Sequence, residues 1–160
     1  MRSYKKFSSL KQLTKTNLYL NKLEYKDDKL NNNKRDHWAT PKEFLTCGLG
    51  DCEDYAIIKY FTLLKLGFSS DKLFITLAYD TLSKRNHMVL SYFIEDSQPP
   101  LILDNLSLEV LNLTKRDDLI ITAFINTKGV YKLDNSGKLT KTKHRSRKFK
   151  DLLKRVQIES

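Results

Sequence analysis

A chain of 160 residues, 40% of them hydrophobic and including eight Tyr and eight Phe, has the size of one domain whose core needs no disulfide staples, which excludes a disordered chain. The formal net charge of +10 invites a nucleic-acid or membrane-surface partner. Its placement argues against both: between Lys138 and Arg155 nine Lys/Arg stand against one acid, Asp151, so this segment supplies +8 and the rest of the chain is near neutral.

From Phe7 to Leu23 the apolar residues Phe7, Leu10, Leu13, Leu20 and Leu23 recur with a helical rhythm. The stretch from Lys26 to Asp36, with three consecutive asparagines, reads as an exposed, mobile loop. Thr40-Pro41-Lys42-Glu43 starts a short helix, with Thr40 as N-cap, Pro41 at the first position and Glu43 completing a capping box; it ends by Gly48. After the turn Gly48-Leu49-Gly50, Asp51 is the N-cap of a second, buried helix that opens on Cys52 and runs to a C-terminal cap at Gly67. The period then changes. Lys72 to Tyr79, His87 to Ile94, Leu101 to Asp104 and Leu119 to Ile125 read as strands, with Gly129 to Leu133 as a shorter one. Phe149 to Val156 reads as a basic terminal helix. Helices followed by an antiparallel sheet give an α+β fold in one domain spanning 1–160, with a basic tail from about 138 expected to be a solvated helix and loose end. The sharper reading of that tail is a patch for an acidic partner.

No apolar run reaches membrane-spanning length, and the start, MRSYKKFSSLKQL, has positive charge but no apolar signal core. The expectation is a cytosolic protein or a mature form whose signal has been removed. Cys47 and Cys52 do not settle the compartment. A disulfide between them would consume any nucleophile.

The chemistry centres on Gly48-Leu-Gly-Asp-Cys-Glu-Asp54. A cysteine at a helix start sits in the positive end of the helix dipole, which favours the thiolate, and the amides there can hold an oxyanion. Such a nucleophile needs a base and a group to orient it. His87 opens a strand and Asp104 ends another, so neighbouring strands can set imidazole and carboxylate side by side. Spacing alone leaves a plainer reading open: a buried helix-start cysteine, a strand-edge histidine and a turn aspartate. The surrounding acids Asp51, Glu53 and Asp54 are hard oxygen ligands of the type calcium takes, or ordinary first-turn acids. As a calcium site, Asp51 and Glu53 lead and Asp54 follows, because Asp54 can instead cap the helix. Three side chains are too few for calcium, so carbonyls, waters or a distant group must complete the shell.

Of the remaining features, Trp38 reads as a buried structural residue or a wall of the substrate groove, and Cys47 as a small core residue. His37 and His144 read as solvated. Asn105 supports Asp104 or makes a turn.

Taken together, Trp38-Ala-Thr-Pro-Lys-Glu-Phe-Leu45, Gly48 to Ala56 with Lys59-Tyr-Phe61, Asn86-His-Met-Val-Leu90 and Leu103-Asp-Asn-Leu106 resemble the bacterial transglutaminase-like cysteine proteinases, and among them the periplasmic, adhesin-releasing proteases of the LapG type. The resemblance spans about Asp36 to Gly129. It implies a papain-like, transglutaminase-like fold with Cys52 as nucleophile, His87 as base and then acid, Asp104 as orienting group, and calcium as cofactor. It also implies a periplasmic location and, as substrate, the N-terminal region of a large RTX-type surface adhesin, cut at a di-alanine site to release it and disperse a biofilm. The implied regulator is the periplasmic domain of a transmembrane cyclic-di-GMP receptor, which sequesters the enzyme. No nucleic-acid partner is expected, and the protein alone is expected to be a monomer. The same residues would serve a transglutaminase or other thioester-forming acyltransferase, and a basic binding module without catalysis would keep only the fold.

Overall fold

The computed structural model describes residues 2–25, 38, 40–42, 49–50, 52–95 and 97–159. The expected loop at 26–36, His37, Glu43 of the capping box, Cys47, Gly48 and Asp51 lie outside the described residues.

Among the described residues, three long helices and an antiparallel sheet make the α+β architecture. The N-terminal helix, Arg2–Asn21, is one continuous element. It turns Leu13, Thr16, Asn17 and Leu20 inward, the i, i+3, i+4, i+7 stripe of a helix with one buried face. The central helix, Cys52–Lys65, is buried along nearly its whole first half, from Asp54 to Tyr60, and again at Leu63. It stops at Gly67, whose φ of 96° only glycine adopts freely. The N–H of Gly67 donates to Leu64 O at 3.1 Å and that of Phe68 to Leu63 O at 3.0 Å, a Schellman closure that meets two otherwise orphaned carbonyls.

The sheet has seven strands: β3 (Leu73–Asp80), β4 (Arg85–Tyr92), β5 (Leu101–Leu103), β6 (Leu111–Asn112), β7 (Leu119–Asn126), β8 (Gly129–Leu133) and β9 (Leu139–Lys141), in the order β6-β5-β4-β3-β7-β8-β9. Every pairing is antiparallel. β6 and β9 are two and three residues long, too short for a period-2 pattern to announce them. A second, parallel pair joins β1 (Glu24–Tyr25) to β2 (Leu49–Gly50), so Leu49 and Gly50, read above as part of a turn, belong to a bridge. Among the described residues no helix is long and apolar enough to cross a membrane.

The sheet packs the helices on one face, where Ile75, Met88, Leu90, Leu103, Ala123 and Ile125 meet Leu13, Ile57, Tyr60 and Leu63. Its other face buries a smaller cluster of Ala78, Val89, Ile102 and Leu119. Alternation along β4 thus sends Met88 and Leu90 to the helices and Val89 the other way.

The basic segment is packed rather than loose. β9 extends the sheet, and the C-terminal helix, Arg147–Glu159, buries Phe149 and Leu152 with Leu153 and Val156 partly covered, again an i, i+3, i+4, i+7 stripe. Ser146 caps it, its Oγ accepting the Phe149 N–H at 3.2 Å. The charges occupy the opposite side, so a high cation count and a docked helix coexist. Phe149 meets Tyr60 edge to face with ring centroids 5.5 Å apart. Phe149→Ala should cost about 3–5 kcal/mol of stability, read by chemical denaturation; a loss below about 0.5 kcal/mol, the size of a surface change, would mean that this helix is not anchored.

Candidate active site

Cys52 is the first residue of the central helix, as the Asp-Cys pair implied, and carries a thiol rather than a disulfide. His87 lies on β4 opposite Ala78 of β3. Asp104 follows directly on β5. The pairing Leu90 with Leu103, carried one residue further, brings Asp104 level with Val89, two places along β4 from His87 and on the same face. That diagonal is within reach of two long polar side chains. Register, and no feature of either segment alone, brings the two together.

His87 Nε2 stands 2.6 Å from Asp104 Oδ1. The two side chains are 6% and 0% exposed. An ionised carboxylate can only accept, so Nε2 is the donor in this bond. Burial by itself pushes the Asp104 carboxyl up. The hydrogen bond and charge of His87, the Leu106 N–H and the Arg116 guanidinium outweigh it and hold the group at about 2. Arg116 Nη2 donates to Asp104 Oδ2 at 2.7 Å, and the Leu106 N–H donates to Oδ1 at 3.0 Å.

The main chain of this turn is held as firmly. Asn21 Nδ2 donates to Asp104 O at 2.9 Å, and Asn17 Nδ2 to Ser107 O at 2.9 Å. These two asparagines, one turn apart on the N-terminal helix, turn their carbonyls to Lys59 of the central helix, whose Nζ donates to Asn17 Oδ1 at 2.8 Å and Asn21 Oδ1 at 2.6 Å. Lys59 is wholly buried. Burial lowers its ammonium from 10.5 to about 7, against the pull of the nearby Asp104 charge.

One cavity, of about 430 Å³, brings Cys52 and Glu53 of the helix start together with Ala78, His87, Trp38 and Lys148. A larger groove of about 710 Å³ runs between the three helices, but its lining holds neither thiol nor imidazole. Trp38 is both structural and exposed to the cavity. It is 5% exposed and joins the main core, its carbonyl accepts from Arg155 Nη2 at 2.8 Å, and Lys148 Nζ lies 5.9 Å from its ring centre. Both cations come from the C-terminal helix.

Of the three acids around the thiol, Glu53 and Asp54 occupy the first turn of the helix. Asp54 is buried, and Glu53 also lines the cavity that holds the thiol. Carboxylates of this kind are the hard oxygen donors that calcium takes. Among the described residues no group of three or more metal-binding side chains converges, and Asp51 is not one of those residues. His144 is exposed.

Sequence reasoning passed over Arg116, Lys59, Asn17 and Asn21. Arg116 sits in the run Lys115-Arg-Asp-Asp118, which reads as solvated charge. Lys59 carried a usable signal, a lone cation inside Ala56-Ile-Ile-Lys-Tyr-Phe61, where an exposed face is hard to find.

The sequence model of the bacterial transglutaminase-like cysteine proteinases (BTLCP) matches residues 2–124. Among solved structures, calcium-bound LapG of Legionella pneumophila is 38% identical, with a TM-score of 0.78 over 90% of this chain and 78% of that one. An EGTA-treated form of the same Legionella protein is 39% identical, with a TM-score of 0.79 over 91% and 77%. No curated protein matches the chain.

Two pH dependences follow, of the same sign and in separate windows. Asp104 is held below its ordinary value near 3.9, so its contribution is present above about pH 4 and lost as the pH falls through about 2. The stability difference between the protein and Asp104→Asn should shrink by roughly 2 kcal/mol across that window. Lys59 is lowered, so the unfolded chain binds the extra proton between about pH 7 and 10.5. Stability relative to Lys59→Met should therefore rise with pH through that range. Denaturation curves at several pH values check both, and a slope of the wrong sign refutes the corresponding assignment.

Proposed function

Because the chain belongs to the bacterial transglutaminase-like cysteine proteinases, we propose that it is a calcium-dependent cysteine endopeptidase with Cys52 as nucleophile, His87 as proton carrier and Asp104 as orienting group. One observation carries this reading: Cys52 and His87 wall the same cavity, while the far nitrogen of that imidazole is bound to Asp104.

With Nε2 committed to Asp104, Nδ1 is the nitrogen left to serve the thiol. It takes the proton of Cys52 Sγ, and the thiolate attacks the carbonyl carbon of a peptide bond. The oxyanion that forms is met by amides at the helix start, where the dipole also favours negative charge. Nδ1–H then protonates the departing amine as the C–N bond breaks, leaving a thioester. Water, deprotonated by Nδ1, attacks the thioester, and its collapse returns the thiol and releases the acid. Throughout, the ionised Asp104 stabilises the imidazolium and fixes its plane.

Calcium fits the acids beside the thiol. Glu53 and Asp54, with Asp51, would hold it, and main-chain carbonyls or water would complete its shell. Bound there, the cation would neutralise carboxylates that otherwise disfavour a thiolate. The calcium-bound and EGTA-treated forms of the Legionella relative support this choice of metal.

The proposed substrate is the N-terminal region of a large RTX-type surface adhesin, cut at a di-alanine site in the periplasm so that the adhesin leaves the cell. The proposed regulator is the periplasmic domain of a cyclic-di-GMP receptor that sequesters the enzyme. Both come from the family resemblance.

A fluorogenic peptide with consecutive alanines tests the reading. Cys52→Ser and His87→Ala should each lower cleavage at least about 1,000-fold, and EGTA should abolish it until calcium is restored. Undiminished cleavage in excess EGTA would remove calcium from the account. Incorporation of a primary amine outrunning hydrolysis would move the function to acyl transfer.

A further inference from the structure

Both oxygens of Asp104 are engaged. Oδ1 faces His87, while among the described residues the hydrogen bond to Oδ2 comes from Arg116. Arg116 is in turn gripped by Asp118, its Nε donating to Oδ1 at 3.0 Å and its Nη2 to Oδ2 at 2.8 Å. Its main chain is fixed as well. It closes the short 3₁₀ turn Leu113–Lys115, donating its N–H to Leu113 O at 3.0 Å, and its own carbonyl accepts from Leu119 N at 3.1 Å.

Stability is a weak reason for such an arrangement. Arg116 is 8% exposed, and its Nη1 is buried without a hydrogen-bond partner among the described residues, a donor that burial makes costly to leave unmet. Desolvation in a buried ion pair commonly cancels the Coulombic gain. Geometry is a better reason. The terminal torsion of an aspartate is soft, so a carboxylate held at one oxygen can swing. A planar guanidinium whose Nε–Nη2 edge is held by Asp118 directs Nη2 at Oδ2 and prevents that.

We propose that Arg116 is a positioning residue of the site: by holding Oδ2 it fixes the plane of the Asp104 carboxylate, keeps Oδ1 on His87 Nε2, and so keeps Nδ1 turned to the thiol. Asp118 is the anchor that makes the clamp rigid. This rests on the triad reading above. Lys59 is a further charge near Asp104, acting at a distance because its Nζ is spent on Asn17 and Asn21.

The variants Arg116→Met, Arg116→Lys and Asp118→Asn test the clamp by two readouts. One is kcat and KM on the alanine peptide. The other is the imidazole ¹⁵N spectrum at pH 9, which needs no substrate and is tractable with three histidines in the chain; the signals missing from His87→Gln assign His87. Wild type should show the Nε2–H tautomer alone. Arg116→Met should show a mixture of tautomers, with kcat lowered about 100-fold, the scale of a small misplacement, and KM within twofold. Arg116→Lys, which keeps the charge without the fork, should recover less than a tenth of the lost rate, and Asp118→Asn should fall between. A folded Arg116→Met with a single Nε2–H tautomer and kcat within threefold of wild type overturns the proposal. Should Arg116→Met fail to fold, wild-type tautomer and kcat in both other variants overturn it equally. An active Cys52→Ser would instead sink the triad reading, whatever the Arg116 variants do.

Discussion

A carboxylate enters a protein interior only if the surroundings replace the water it gives up. At Asp104 that replacement is drawn from four parts of the chain. β4 supplies an imidazole, the turn before β7 a guanidinium, the N-terminal helix an amide to the main-chain carbonyl, and the central helix a buried ammonium behind the two asparagines. Each donor fixes the position of the element that bears it. The sheet and two of the helices therefore meet with little freedom of relative movement at this point, and the direction in which His87 faces follows from that meeting.

Local chemistry was legible wherever a residue type forces a conformation. The helix start at Cys52 and the stop at Gly67 follow from the Gly-Asp-Cys run and the glycine cap. The main strands follow from β-branched and aromatic runs. Pairing was not legible in the same way. His87 and Asp104 stand on different strands, and only the register of β4 against β5 makes them neighbours. The supporting residues were hidden for a different reason: Arg116, Asn17 and Asn21 are types usually found in solvent, and nothing within a window of neighbours reveals that they point at one turn. Asp104 could be singled out as a neighbour of His87 because a histidine serving a thiol calls for a carboxylate; Arg116 could not, because a carboxylate can in principle be served by many donors.

The basic segment shows how composition and pattern can disagree. Its charge count suggested a loose, self-repelling end. Its apolar residues, at 149, 152, 153 and 156, say otherwise, and an apolar stripe outweighs surface repulsion that solvent screens. Trp38, the single tryptophan, is pinned between this helix and the core by Arg155 and Lys148.

The cavity at Cys52 thus has walls made from parts of the chain far apart in synthesis: Trp38 and Cys52 early, His87 in the middle, Ser146 and Lys148 near the end. Translation proceeds from the N-terminus, so a nascent chain carries its thiol long before it carries the cavity. Ser146 and Lys148 follow the thiol only after every strand of the sheet has been synthesised. The cavity around the thiol is therefore completed only after the seven-stranded sheet has been made.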